Sequence, residues 1–206
     1  MAAAQPIHRL TQAEYLEIER RAEFKSEFRD GEMFAMSGGS RPHSRIACNL
    51  ISAIDTQLKG SPCMVFNSDM RVKVQMAGLY TYPDVSVLCG PEEVEDEHDD
   101  VLLNPTVIAE VLSDSREAYD RGKKFEMYRR LPSLREYLLV NQHEPLIEQF
   151  IRQPGGEWLL RDVSGLEGKL SLPSLGITIA LAEVYSKVRF QPAARSPETP
   201  GNRPPS

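Results

Sequence analysis

The sequence predicts an α/β (α+β) fold: a mixed β-sheet core flanked by helices, with an N-terminal helix and hairpin and a C-terminal β extension. Three observations predict it. Residues 107–112 are an apolar run, 117–130 a polar helical segment and 136–140 a second apolar run. Strand, helix and strand with short connections make a βαβ unit, which implies a parallel pair with a right-handed crossover. Asp30-Gly31 lies between two short alternating stretches, a strong hairpin signal. Residues 71–75, Arg-Val-Lys-Val-Gln, alternate cleanly and predict a strand with one polar and one apolar face.

The chain has 206 residues, enough for one domain with modest appendages. The expected division is a loose arm over 1–9, a domain over 10–190 and a disordered tail over 191–206. That tail is Pro, Ala, Ser, Gly, Arg and Glu without apolar periodicity. Apolar residues are 41% and charged residues 26%, ordinary for a globular protein. No stretch approaches the roughly 18 apolar residues that span a bilayer, so no membrane association is expected. Residues 1–5 lack a charged region followed by an apolar block, so no secretory leader is expected. Cys48, Cys63 and Cys89 are odd in number and lack zinc spacing. They are expected as small buried hydrophobes in a reducing compartment, the cytoplasm. The net charge of −6 argues against a protein that coats nucleic acid non-specifically.

The remaining elements follow in order. Thr11 can cap a short helix, with Glu14 completing a capping box; Tyr15, Leu16 and Ile18 would face inward. Residues 24–28 and 32–36 are the hairpin strands, and Glu27 lies in the first. A helix is expected over 43–59, with Ile46, Ala47, Leu50, Ile54 and Leu58 at helical spacing. Residues 64–67 and 70–76 read as strands with a break at Ser68-Asp69, and Gly78 and Pro83 bracket the turn into the strand of Asp84. Segment 91–100 holds seven carboxylates in ten residues and reads as a solvated loop. Pro132 stops the helix. Residues 145–153 and 157–163 form a hairpin; Ile147, Gln149 and Ile151 share a face, and Trp158 caps that layer. Residues 170–179 contain Pro173 and Gly176 and read as an irregular edge segment; 181–188 is a short helix.

The chemistry centres on residues 82–128. Glu110 lies within the apolar run, on the face shared by Ile108 and Leu112. A buried carboxylate needs a hydrogen-bond partner, a cation or a metal. Asp84 begins a neighbouring strand, and if the two strands pair the carboxylates approach closely. Mg²⁺ or Mn²⁺ suits two such oxygen donors. Asp120, Lys124 and Tyr128 share a helix face, which lets Lys124 point over Glu110. A second reading is open at this level: Asp84 caps a turn, Glu110 pairs with a buried Arg or Lys, and Lys124 is solvated.

An ordered set of short motifs resembles the Uma2 family of restriction-endonuclease-like proteins, within the PD-(D/E)XK nuclease superfamily. The set is Glu27 with Asp30-Gly31-Glu32, His43, Ser68-Asp69-Met70-Arg71, Tyr82-Pro83-Asp84-Val85, Glu110-Val111-Leu112-Ser113, and Tyr119-Asp120-Arg121-Gly122-Lys123-Lys124 with Tyr128. It covers roughly residues 10–188. The resemblance implies a restriction-endonuclease-like core and a metal-dependent endonuclease acting on DNA, with Mg²⁺ or Mn²⁺ the expected ion; a homodimer is expected because a nuclease acting on duplex DNA often works as a symmetric pair, one site per strand. It implies that Asp84 and Glu110 bind the metal, that Lys124 assists the attacking water and that Glu27 supports them. His43, Asp69, Asp120 and Tyr128 are further candidates around the site. The superfamily places lysine two residues after the second acid; here that position is Leu112, and Lys124 resembles the lysine that has migrated to the next helix in some branches. Arg41, Arg45, Arg71, Lys73, Arg121 and Lys123 are candidates for phosphate contacts. The rival reading is a catalytically silent nucleic-acid- or protein-binding module on a nuclease scaffold.

Overall fold

The computed structural model describes residues 9–190. Of the arm expected over 1–9 only Arg9 is described, and the tail expected over 191–206 lies outside the described residues. Helix α1 (Gln12–Glu19) carries the predicted capping box between Thr11 and Glu14. Strands β1 (Ser26–Arg29) and β2 (Glu32–Ala35) pair antiparallel across Asp30-Gly31. Both turn residues have positive φ, 53° and 83°, as the tight hairpin turn that fits strand twist requires. Helix α2 (Arg41–Leu58) starts two residues earlier than expected, because Ser40 accepts from the His43 N–H and Pro42 fits the first turn.

Three sheets follow. The largest has six strands in the order β11 (Trp158–Ser164), β10 (Leu146–Arg152), β9 (Glu136–Val140), β8 (Val107–Val111), β6 (Val85–Cys89) and β3 (Cys63–Asn67). Strands β8 and β9 are parallel, as the βαβ pattern predicts, and the other neighbours are antiparallel. The second sheet runs β2, β1, β5 (Leu79–Thr81), β4 (Arg71–Val74), β7 (Val101–Leu102). Strands β12 (Lys169–Leu172) and β13 (Ile177–Ala180) form a hairpin, followed by α5 (Leu181–Val184).

The six-stranded sheet has a packed core on each face. On one side the α2 stripe of Ile46, Leu50, Ile54 and Leu58 meets Val85, Val107, Ala109, Val111 and Leu138, closed by β12, β13 and α5. On the other, Ile108, Leu112, Tyr137 and Leu139 meet Met127, Tyr128, Leu131 and Leu134. Each fully buried aliphatic side chain contributes about 1.5–3 kcal/mol. Alternation along β8 sends Val107, Ala109 and Val111 to one core and Ile108 to the other, so Glu110 is forced to the inner side of the second.

Several expectations are corrected. Ile18 is 45% exposed, and Glu19 is the buried residue instead; it accepts from the Ser26 N–H and the Tyr82 hydroxyl. The polar face of β4 is not solvated. Arg71 and Lys73 are buried because Tyr82 and Asp100 engage the first, and Glu95 the second. The strand ends at Val74, where a 3₁₀ turn (Gln75–Ala77) and left-handed Gly78 (φ 58°) lead into β5, which sequence reading missed. The segment 170–179 is the β12–β13 hairpin, its turn absorbing Pro173 and Gly176. Trp158 packs against Phe125 and lies opposite Arg152 on the Phe150 side, not over Ile147 and Gln149. The cysteines are not three buried thiols. Cys63 and Cys89 face each other across β3 and β6 and form a disulfide, and Cys48 is exposed. Among the described residues no helix is long and apolar enough to cross a membrane.

The acidic segment is anchored rather than freely solvated. Arg20 donates to Asp96 and Asp100, and Arg71 reaches Asp100 at 3.3 Å. Arg20 holds both carboxyl groups below their ordinary value of 3.8. Depressed carboxylates stabilise the fold above the unfolded value, and that stability is lost as pH falls through the lower folded values. The pairs are a third exposed, so the effect is expected to be about 1 kcal/mol or less. Urea titrations at about pH 5 and about pH 3 should show a smaller acid loss for Asp100→Asn than for the native chain.

Candidate active site

The site is assembled where β6 begins, β8 ends and the helix after β8 returns. Val85 pairs with Ala109 and Ser86 with Ile108, so Asp84, one step earlier, comes level with Glu110. Asp84 Oδ2 accepts the Val111 N–H at 2.8 Å, which anchors it to the end of β8. His43 Nε2, from the first turn of α2, lies 3.1 Å from the same oxygen. Glu110 is 4% exposed, and its Oε1 accepts from the Tyr128 hydroxyl and Lys124 Nζ, both at 2.8 Å.

The helix after β8 is not regular. Helix α3 (Glu117–Tyr119) passes through a π turn (Asp120–Lys124) into α4 (Phe125–Tyr128). Such turns occur often at functional sites. This one turns Asp120, Lys124 and Tyr128 inward together. Lys124 is 1% exposed, 3.5 Å from Asp120 Oδ1 and 3.9 Å from Glu27 Oε2. Glu27, on β1, is held by the Thr81 hydroxyl at 3.1 Å and by the Tyr119 hydroxyl, with Arg116 Nη1 3.9 Å away. It stands behind Lys124. A cleft of about 540 Å³ opens over the rest, lined by His43, Asp84, Glu110, Arg116, Asp120 and Lys124.

The structure thus brings together Asp84, Glu110, Lys124, Asp120, Tyr128, His43 and Glu27. It does not bring Asp69, which sits at the exposed β3–β4 turn and pairs with Lys25 and Asn67. Of the basic candidates, Arg71 and Lys73 are buried in pairs of their own and cannot reach a phosphate. Arg121 pairs with Glu117 and Glu148, while Arg41, Arg45 and Lys123 are exposed. Sequence reasoning missed Arg116, Thr81 and Tyr119 as site residues. Tyr119 was visible as the neighbour of Asp120; Thr81 carried no signal, because β5 itself was not recognised.

The electrostatics are dominated by excess negative charge. Glu110, Asp120 and Glu27 surround Lys124, Arg116 lies near Glu27, and Asp84 shares the cleft lining. Burial pushes the Glu110 carboxyl well up, against the pull of Lys124, and Asp120 and Asp84 push it further. Burial likewise raises Asp120, opposed by Lys124 and Arg116. Burial alone would lower Lys124, yet the carboxylates around it hold the ammonium charged above the usual lysine range. Burial also pulls His43 down, but the Asp84 carboxylate outweighs it and leaves the imidazole above its ordinary value.

Among the described residues no three His, Cys, Asp or Glu side chains converge as a ready metal cage. Mg²⁺ does not require one, since one or two carboxylates plus water and substrate phosphate suffice. Asp84 and Glu110 supply that pair on one cleft wall. Asp120 Oδ1 is buried without a hydrogen-bond partner, an acceptor still open to a cation or to water. The donors are all oxygens apart from His43, and their charge is in excess, so the residues fit a hard divalent ion.

A mixed sheet covered on both faces, with an acidic pair at adjoining strand ends and a lysine from the next helix, defines a restriction-endonuclease-like protein. The chain belongs to the Uma2 family, described as "Putative restriction endonuclease", whose profile matches residues 12–182. Two uncharacterized proteins of Synechocystis sp., slr1290 and sll1609, are 36% and 35% identical to it. The first match covers 90% of this chain and 96% of the relative; the second covers 82% and 95%. The crystal structure of a "putative nuclease belonging to DUF820" from Anabaena variabilis matches with a TM-score of 0.71 at 18% identity. That match covers 86% of this chain and 98% of the other, and at such identity it is a likeness of fold.

Proposed function

We propose that residues 10–190 form one metal-dependent endonuclease unit that hydrolyses phosphodiester bonds in DNA. The observation that carries the reading is the fully buried Lys124 bonded to Glu110 on the floor of the cleft that Asp84 lines. Asp84 and Glu110 would hold Mg²⁺ or Mn²⁺, which supplies Lewis-acid charge for phosphate and water when bound. Lys124 Nζ places a lasting positive charge beside Glu110, where charge builds on the phosphorus oxygens during attack, and can donate to the attacking water. The Val111 N–H and His43 fix Asp84, and Tyr128 fixes Glu110, so neither carboxylate has to reorganise. Glu27, with Asp120, sets the position and charge of Lys124 from behind. Water adds across a P–O bond, leaving phosphate on one end and hydroxyl on the other.

Supercoiled plasmid with Mg²⁺ or Mn²⁺ tests this. The native chain is expected to nick it, and Glu110→Gln to lose at least about a hundredfold of that rate, the order of one well-placed electrostatic group. Equal nicking by both would remove Glu110 from the chemistry. Absence of cleavage on plasmid, single strands and RNA alike would favour the catalytically silent binding module. A homodimer, which would bring two such sites together, belongs to the proposal.

A further inference from the structure

The cleft has an apolar part of its lining that the proposed chemistry does not use. It is made by Phe24, Met36, Ala47 and Ile51. Phe24 precedes β1 and is 76% exposed, an aromatic ring left in water at the mouth of a polar cleft. The core takes none of it, since Phe24 belongs to none of the packed clusters. An exposed ring costs solvation unless something covers it, and this one shares the cleft lining with Asp84, Glu110 and Lys124. The charge around it is thin. Of the cleft's own cations, Lys25 is held by Asp69 and the Ser68 carbonyl, Lys124 is buried against Glu110 and Arg116 lies 3.9 Å from Glu27, while Glu23 adds a negative charge to the same lining. A duplex is held mainly by a broad basic face that tracks two backbones. Unpaired strands are held instead by base–aromatic stacking beside a few cations.

Resting on the endonuclease reading, we infer that Phe24 is a stacking platform for an unpaired base next to the scissile phosphate, so that the site takes single-stranded or locally opened DNA in preference to regular duplex. The backbone runs past Asp84 and Glu110 while the base lies against Phe24, the apolar Met36–Ile51 wall closing behind it. A supercoiled plasmid, which opens locally, is then a better substrate than the same plasmid relaxed.

Fluorescence anisotropy with a labelled 20-mer, single-stranded or annealed to its complement, tests this in Ca²⁺, where cleavage need not occur. The native chain is expected to bind the single strand more tightly. Phe24→Ala should weaken that binding about tenfold, within the range for one stacked base, with little change for duplex. Phe24→Trp should restore it, and the new indole should be quenched on binding. Equal or tighter binding of duplex overturns the proposal, and so does loss in Phe24→Ala that is the same for both ligands. The two readings fail separately: selective strand binding that depends on Phe24, together with nicking indifferent to Glu110→Gln, would sink the catalytic assignment and leave the platform standing.

Discussion

Lys124→Met is expected to lower the stability of the fold by about 3–5 kcal/mol and to abolish nicking. Methionine nearly matches the lysine stem in volume, so packing survives and the loss is electrostatic. Glu110, Asp120 and Glu27 would then face one another in a buried space without their common cation. Removing one partner of a buried ion pair leaves an uncompensated charge, which costs far more than the pair contributes. The carboxylates would respond by taking up protons, so stability would be greatest below their unfolded values and would fall as pH rises from there through the raised folded values. Urea denaturation of the single variant and of Lys124→Met with Glu110→Gln measures the coupling. The double variant should recover part of the stability and none of the activity, which separates the structural role of the lysine from the chemical one. A single variant within about 1 kcal/mol of the native chain would show that Lys124 is not the counter-charge of this cluster.

Breaking the Cys63–Cys89 disulfide is expected to cost about 3–4 kcal/mol, the range for a closed loop of this length. The bond ties edge strand β3 to β6, the strand that begins at Asp84, so its loss frees the outer edge of the sheet that carries the site. Thiol titration in denaturant should find one reactive group, Cys48, before reduction and three after it. Three before reduction would refute the bond, and Cys89→Ser would then unfold with the native midpoint. The paired cysteines also withdraw the argument from free thiols for a reducing compartment.

The sequence alone settled the parts of this protein that are local. The capping box at Thr11, the Asp30-Gly31 turn, the α2 stripe and the parallel β8–β9 pair were legible because each is written in neighbouring residues or in one period. The same holds for Glu110: alternation within an apolar run puts it inside whatever packs around it. Asp84, Glu110 and Lys124 were therefore readable as candidates, with the family resemblance giving them an order. What the sequence could not decide was which charges meet. Arg71 and Lys73 alternate as a solvated face should, yet the acidic segment folds over them, because partners 22 and 29 residues away neutralise them. The Thr81–Glu27–Tyr119 support and the Cys63–Cys89 bond likewise join residues far apart in the chain. Periodicity fixes which way a side chain points; only the tertiary packing decides what stands opposite it, and for buried charge that neighbour sets both the protonation state and the cost.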